Sequence, residues 1–160
     1  MPTFTHIDEK GQVRMVDVTA KKPTQRTATA QACITMSAET FSAIMDQSVK
    51  KGNVLETARI AGIMAAKKTA GLIPLCHPLN ITHLQIDFFP DPANATIRIE
   101  AVVRIVDQTG VEMEALTAVS IAALTIYDMC KSHDKTMVIT DVMLLKKTGG
   151  KSGPFTRDHV

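Results

Sequence analysis

Strict alternation of apolar and polar positions marks the clearest strand. In TATAQACITM, Ala28, Ala30, Ala32, Ile34 and Met36 face one way and Thr27, Thr29, Gln31, Cys33 and Thr35 the other. That pattern over 27–36 predicts a half-buried strand. A shorter alternation, VRMVDVT over 13–19, predicts a strand before it. Residues 81–89 place Leu84, Ile86 and Phe88 on one face, and 95–105 place Ile97, Ile99, Ala101, Val103 and Ile105 on one face. The intervening PDPAN makes this pair a hairpin. TMVITDVMLLK over 136–146 predicts a last strand.

Elsewhere the period lengthens to that of a helix. Ser37 is placed to cap a helix running to about Gln47, with Phe41, Ile44 and Met45 at helical spacing. Asn53, with Glu56 three residues later, caps a second helix running to about Ala70. Its Ala58, Ala61, Gly62, Ala65 and Ala66 allow a neighbour to approach closely.

The longest element is TGVEMEALTAVSIAALTIYDMCK, 109–131, with Thr109 and Glu112 at capping-box spacing. From Leu116 to Met129 it is apolar or small on nearly every face, which predicts burial all round, against a sheet and against another copy of itself. Its ends are polar. Glu112 and Glu114 stand at one end, Asp128 and Lys131 at the other, roughly 20–25 Å apart along the axis. One small-molecule site cannot use both ends of one copy, so a ligand touching both must lie between subunits.

The order strand, strand, two helices, two strands, helix, strand predicts an α+β fold with helices on one face of the sheet. The 160 residues, 45% hydrophobic, suit a single domain spanning 1–160. Both ends, 1–12 and 148–160, are expected to be flexible. A net charge of +2 and 4% aromatic residues argue against a nucleic-acid partner. No stretch reads as a membrane span or signal peptide. Cys33, Cys76 and Cys130 form no C-x-x-C pair, so a reducing cytoplasm is the expected location.

Several residues lack an obvious structural role. GLIPLCHPLN brackets Leu75, Cys76 and His77 between Pro74 and Pro78, a stiffened loop. Lys51 precedes a helix N-terminus, where an anion is favoured. Asp128 and Lys131, three apart, are either an ordinary surface pair or a pair for proton transfer. With His77 and Glu114, and Arg26, Lys67 and Lys147 as weaker members, cations outnumber acids, which predicts an anionic ligand. The basic loop AKKPTQRT, with Lys21, Lys22 and Arg26, reads first as a solvated loop. GGKS near the end lacks the upstream glycine and following helix of a P-loop. Four zinc ligands at suitable spacing are absent.

MVDVTAK at 15–21, TARIAGIMAAKKT at 57–69, LIPLCHPL at 72–79, GVEMEALTAVSIAALTIYDMCK at 110–131 and LLKKTGGKSG at 144–153 resemble the cyclic pyranopterin monophosphate synthase family of molybdenum cofactor biosynthesis. The resemblance runs from about Thr5 to Gly153. It implies a ferredoxin-like sheet, a homohexamer built as a trimer of dimers, and a site at the dimer interface. It implies conversion of a cyclised dihydro-GTP to cyclic pyranopterin monophosphate with release of diphosphate. By that resemblance Asp128 and Lys131 are catalytic, with Lys51 beside them. Leu75, Cys76, His77, Met113 and Glu114 line the substrate, and Arg26, Lys67 and Lys147 suit the triphosphate. No cofactor is implied with certainty, although Mg2+ assistance of diphosphate release stays open. Two rival readings remain on the residues alone: a hydrolase using Cys76 and His77, and a non-enzymatic nucleotide-binding module.

Overall fold

The computed structural model describes residues 6–158. Five strands form one antiparallel sheet in the order β2-β3-β1-β4-β5. They are β1 Thr24–Thr35, β2 His83–Asp91, β3 Thr96–Asp107, β4 Val138–Thr148 and β5 Phe155–Thr156. The four long strands alternate with helices as β-α-β-β-α-β and stand in the order of a ferredoxin-like sheet. The helices are α1 Ala38–Met45, α2 Val54–Ala66, α3 Thr69–Leu72 and α4 Glu112–Cys130.

The alternation seen in the sequence places the core. Ala30, Ala32, Ile34, Ile97, Ile99, Ala101 and Val103 are fully buried between the sheet and the helical layer. α4 lies over β1, β3 and β4, and α2 packs against α4 and β2. Small residues permit the close approach of the two helices. A Cβ added to Gly62 would lie 2.8 Å from the Ala118 carbonyl oxygen and 3.4 Å from the Ala122 Cβ. α2 is therefore antiparallel to α4, because Lys51, just ahead of α2, reaches Asp128 at the far end of α4.

Both predicted caps ahead of α1 and α2 form. The Ser37 side chain accepts from Thr40 N–H and that of Asn53 from Glu56 N–H. Other expectations are corrected. Residues 13–19 are not a strand. Val13 makes only an isolated bridge to Ile7, and Asp17 turns back to accept from Thr19 N–H. The second helix stops at Ala66, where the buried Thr69 hydroxyl donates to the Ala66 carbonyl and a separate short α3 follows. The Thr109–Glu112 capping box does not form. α4 begins at Glu112 with Val111 as its N-cap and no side-chain cap bond.

In the single chain α4 is covered where it faces the sheet and α2. Met113, Leu124 and Asp128 are exposed, and Leu116, Thr117, Ser120 and Ile121 are half-buried, leaving one stripe of the helix uncovered in the single chain. By length and hydropathy α4 would qualify to cross a bilayer, contrary to the sequence expectation, yet its other faces are covered by the sheet and α2. On the sheet face away from the helices, Phe89, Val106 and Val138 are exposed. There the Gln31 side chain is buried with its Oε1 unpaired among the described residues.

Candidate active site

The predicted site residues fall into two groups at opposite ends of α4. The first gathers Lys51, Asp128 and Lys131. Lys131 Nζ donates to Asp128 Oδ1 at 2.5 Å, one helical turn away. Lys51 Nζ donates to the Asp128 backbone carbonyl at 2.9 Å and stands 3.9 Å from its Oδ2. Lys51 thus places a cation on a carbonyl of the last turn of α4, at the negative end of the dipole. The hydrogen bond from Lys131 holds the Asp128 carboxyl below its ordinary range, aided by the charges of Lys131 and Lys51. The same contact raises the Lys131 ammonium above its ordinary value. In the single chain Lys131 is therefore a held proton, not a free base. All three side chains are about half exposed or more.

The second group surrounds a cavity of about 290 Å3 at the start of α4. Leu75, Cys76 and His77 of the proline-braced loop form one wall, and Met113 and Glu114 of α4 another. A turn closed by Cys76 N–H on the Ile73 carbonyl, 3.1 Å, sets the loop. Glu114 is only 3% exposed. Burial pushes its carboxyl up to about 7, and the charge of Glu112 adds to the effect. Burial and the nearby Glu114 also raise the Cys76 thiol. A raised thiol is the reverse of what a cysteine nucleophile needs, which counts against the Cys76–His77 hydrolase reading.

The basic residues divide differently from the expectation. Lys147 Nζ pairs with Glu112 Oε1 at 2.9 Å and donates to Ser152 Oγ at 3.0 Å. Arg26 spends Nε on the Asp107 carbonyl and Nη2 on that of Gln108, 3.1 and 3.0 Å away. Arg26 also lines a larger cavity, of about 750 Å3, with Lys21, Lys22, Lys151 and Ser152. Lys67, at the C-terminal cap of α2, lines neither cavity. Because α2 is antiparallel to α4, it lies toward the Glu114 end.

Sequence reasoning missed Lys21 and Glu112 as site residues; both line the smaller cavity, as do Val16, Val18 and His6. Glu112 was read as a cap and, with Glu114, as part of the acidic end of the long helix, and Lys21 as part of a solvated loop. The cluster Lys21-Lys22-Pro23-Thr24-Gln25-Arg26 was the available signal. Among the described residues, no group of three His, Cys, Asp or Glu is placed to hold a metal.

Residues 15–150 match the MoaC family along most of the chain. The chain belongs to the MoaC family. Its curated relatives agree over their full length. A protein of Desulforapulum autotrophicum named cyclic pyranopterin monophosphate synthase is 63% identical over 99% of this chain and 98% of its own. One of the same name from Desulfatibacillum aliphaticivorans is 61% identical over 99% of each. Another, from Syntrophomonas wolfei, is 57% identical over 97% of this chain and 99% of its own. The MoaC match begins at Met15 and ends at Gly150, so it takes in Lys21 and Arg26 and stops short of Lys151 and Ser152.

Proposed function

We propose that this MoaC-family chain is a cyclic pyranopterin monophosphate synthase of molybdenum cofactor biosynthesis. It converts (8S)-3',8-cyclo-7,8-dihydroguanosine 5'-triphosphate to cyclic pyranopterin monophosphate and releases diphosphate, acting as a lyase. The observation that carries the reading is the pair of site groups at opposite ends of α4, in a chain 63% identical to a full-length protein of that name. From Glu114 to Asp128 the helix rises about 21 Å. One chain cannot bring both groups to one nucleotide.

The complete site therefore combines the Glu114 end of one subunit with the Asp128 end of another. The uncovered stripe of α4, with Met113, Leu116, Ile121 and Leu124 on it, supports a second copy as its cover. The exposed Phe89, Val106 and Val138 on the far side of the sheet support a further interface, as a trimer of dimers requires. The free cysteines suit a cytoplasmic protein. The substrate is a small nucleotide; neither nucleic acid nor membrane is a partner in this reading.

In this assembly Glu114, His77 and the wall formed by Leu75, Cys76 and Met113 orient the ring. Lys131, held charged by Asp128, is the proton donor as the purine ring opens and the pterin forms. Lys51 shares its charge with the same end and stabilises negative charge developing there. The residues present do not fit a dedicated Mg2+ site, because the basic cavity has no carboxylate in its lining. Any magnesium would arrive on the phosphates.

The test is incubation with the cyclic nucleotide and assay of both pterin and diphosphate. The reading expects both from the wild type and neither from Lys131→Ala. Normal turnover by a folded Lys131→Ala protein would overturn the assigned role. Binding without any turnover by the wild type would favour the non-enzymatic module.

A further inference from the structure

The cavity at the start of α4 takes part of its lining from the segment ahead of β1, from His6, Val16, Val18 and Lys21. His6 comes first in the chain, ahead of Met15, where the family match begins. A small hairpin carries it. Arg14 N–H donates to the His6 carbonyl at 2.9 Å, Asp8 N–H to the Gln12 carbonyl at 3.0 Å, and Ile7 bridges to Val13. Asp8 and Gly11 build the turn. Asp8 Oδ1 accepts from Lys10 N–H and Gln12 N–H at 2.9 and 2.8 Å, and Gly11 has a φ of +76°. A Cβ on Gly11 would meet nothing within 4 Å, so the turn stands in solvent.

All of these bonds stay inside 6–14. Among the described residues, no hydrogen bond ties the hairpin to the rest of the chain. A lone two-stranded hairpin is marginally stable in water. Beside the ring cavity lies an apolar gap of about 510 Å3, lined by His6 and Val13 of the hairpin and by Ile73, Pro74, Leu75 and Met113. Leu75, Cys76 and Met113 line both spaces. Val13 is 70% exposed and Ile7 46%. The hairpin thus stands off the proline-braced loop with apolar side chains in water, beside a gap lined with groups that would bury them.

We propose that residues 6–14 are a flap that folds into this gap when substrate binds, and that the flap carries His6 onto the ring as a binding residue. The inference rests on the nucleotide reading given above and deepens it. Closing brings Val13 against Ile73, Pro74 and Leu75, and the apolar surface removed from water offsets the ordering of the hairpin. The His6 imidazole then adds a hydrogen-bonding group to a cavity that Glu114 and His77 already line, and the closed flap screens the ring from water. The hinge lies between Arg14, the last residue bonded into the hairpin, and Asp17, whose carboxylate holds Thr19 N–H at 2.9 Å.

The test is amide hydrogen exchange on the full-length Lys131→Ala protein, with and without the cyclic nucleotide, since this variant is expected to bind without turnover. Exchange over 6–14 should be fast in the free protein and slow about tenfold or more on binding. In steady-state assays of an otherwise wild-type chain, His6→Ala should raise KM about fivefold, the loss of one hydrogen bond, and change kcat far less. His6→Gln, which keeps a hydrogen-bonding side chain, should recover part of the loss. Gly11→Val strains the turn without entering either cavity and should raise KM in the same direction. Circular dichroism confirms that each variant is folded. Exchange over 6–14 that ignores the ligand would overturn the flap, whether it is fast in both states or already slow in the free protein because a partner subunit covers the hairpin. An unchanged KM in folded His6→Ala would overturn the contact with the ring. A wild type that makes no pterin, with a Lys131→Ala protein that binds no cyclic nucleotide, would instead overturn the enzymatic reading itself.

Discussion

Lys51 and Asp128 are joined across the helical layer: the lysine Nζ donates to the aspartate's backbone carbonyl at 2.9 Å, while Lys131 holds the carboxylate. This links the turn before α2 to the last turn of α4 and brings three charged side chains together. The cavity containing Glu114 stands at the other end of the same helix.

That separation predicts complementation between subunits. A chain carrying Lys131→Ala and one carrying Glu114→Ala should each be inactive alone. Refolded together in equal amounts, they should recover about a quarter of wild-type activity, since half the dimers are mixed and each mixed dimer keeps one intact site of two. Recovery is read as pterin formed per total protein. A mixture as inactive as its components would show that each site belongs to one chain.

Glu114 predicts a pH dependence of stability. Its folded value of about 7 lies above the ordinary carboxyl value of 4.5 because burial disfavours the charged form. The folded state therefore binds more protons than the unfolded state between those values, so stability falls as pH rises from about 4.5 to 7. Glu114→Gln removes the cost. It should stabilise the protein at pH 8 by on the order of 1–3 kcal/mol and leave it nearly unchanged at pH 4. Urea unfolding at both pH values measures the difference.

Gly62 predicts a packing limit. A Cβ there would meet the Ile86 side chain and the Ala118 carbonyl, and the carbonyl belongs to α4 and cannot rotate away. Gly62→Ala should therefore cost about 1–3 kcal/mol despite its better helix propensity. A rise in thermal midpoint would mean that α2 can shift freely on α4.

Asp134 is predicted to hold the segment after α4. Its carboxylate accepts from Ser37 N–H at 2.8 Å, Thr136 N–H at 2.8 Å and Thr136 Oγ1 at 2.6 Å. These bonds, that of the Thr136 hydroxyl first, lower its carboxyl from 3.8 to about 2. The stabilisation is present above the unfolded value and is lost as pH falls from about 4 through 2. Asp134→Ala should unfold at lower urea concentration at pH 7, and the gap from wild type should close in acid. A gap that stays constant down to pH 2 would assign the loss to packing instead.

Much of this could be read along the chain. Alternation located β1 and the β2–β3 hairpin because each strand has one buried face, and Ser37 and Asn53 cap their helices through bonds three residues long. The two-ended character of α4 was legible for the same reason: spacing along a helix converts directly into distance. The strand expected at 13–19 shows the limit. Its alternation is real, but Val13 found only an isolated bridge to Ile7. A strand needs a neighbour that local sequence cannot supply.

What the sequence determined by itself is the inventory: which groups can carry charge, which faces are apolar, and that Glu114 and Asp128 must lie far apart on one helix. Only the tertiary structure decided which groups meet. It gave Glu112 to Lys147 instead of to a helix cap, occupied two donors of Arg26 with backbone carbonyls, and drew Lys21 and Lys151 around one cavity from opposite ends of the chain. Local bonds follow from residue spacing, whereas these pairings arise when β1 takes its place between β3 and β4 and α4 lies over all three, a consequence of packing the whole sheet.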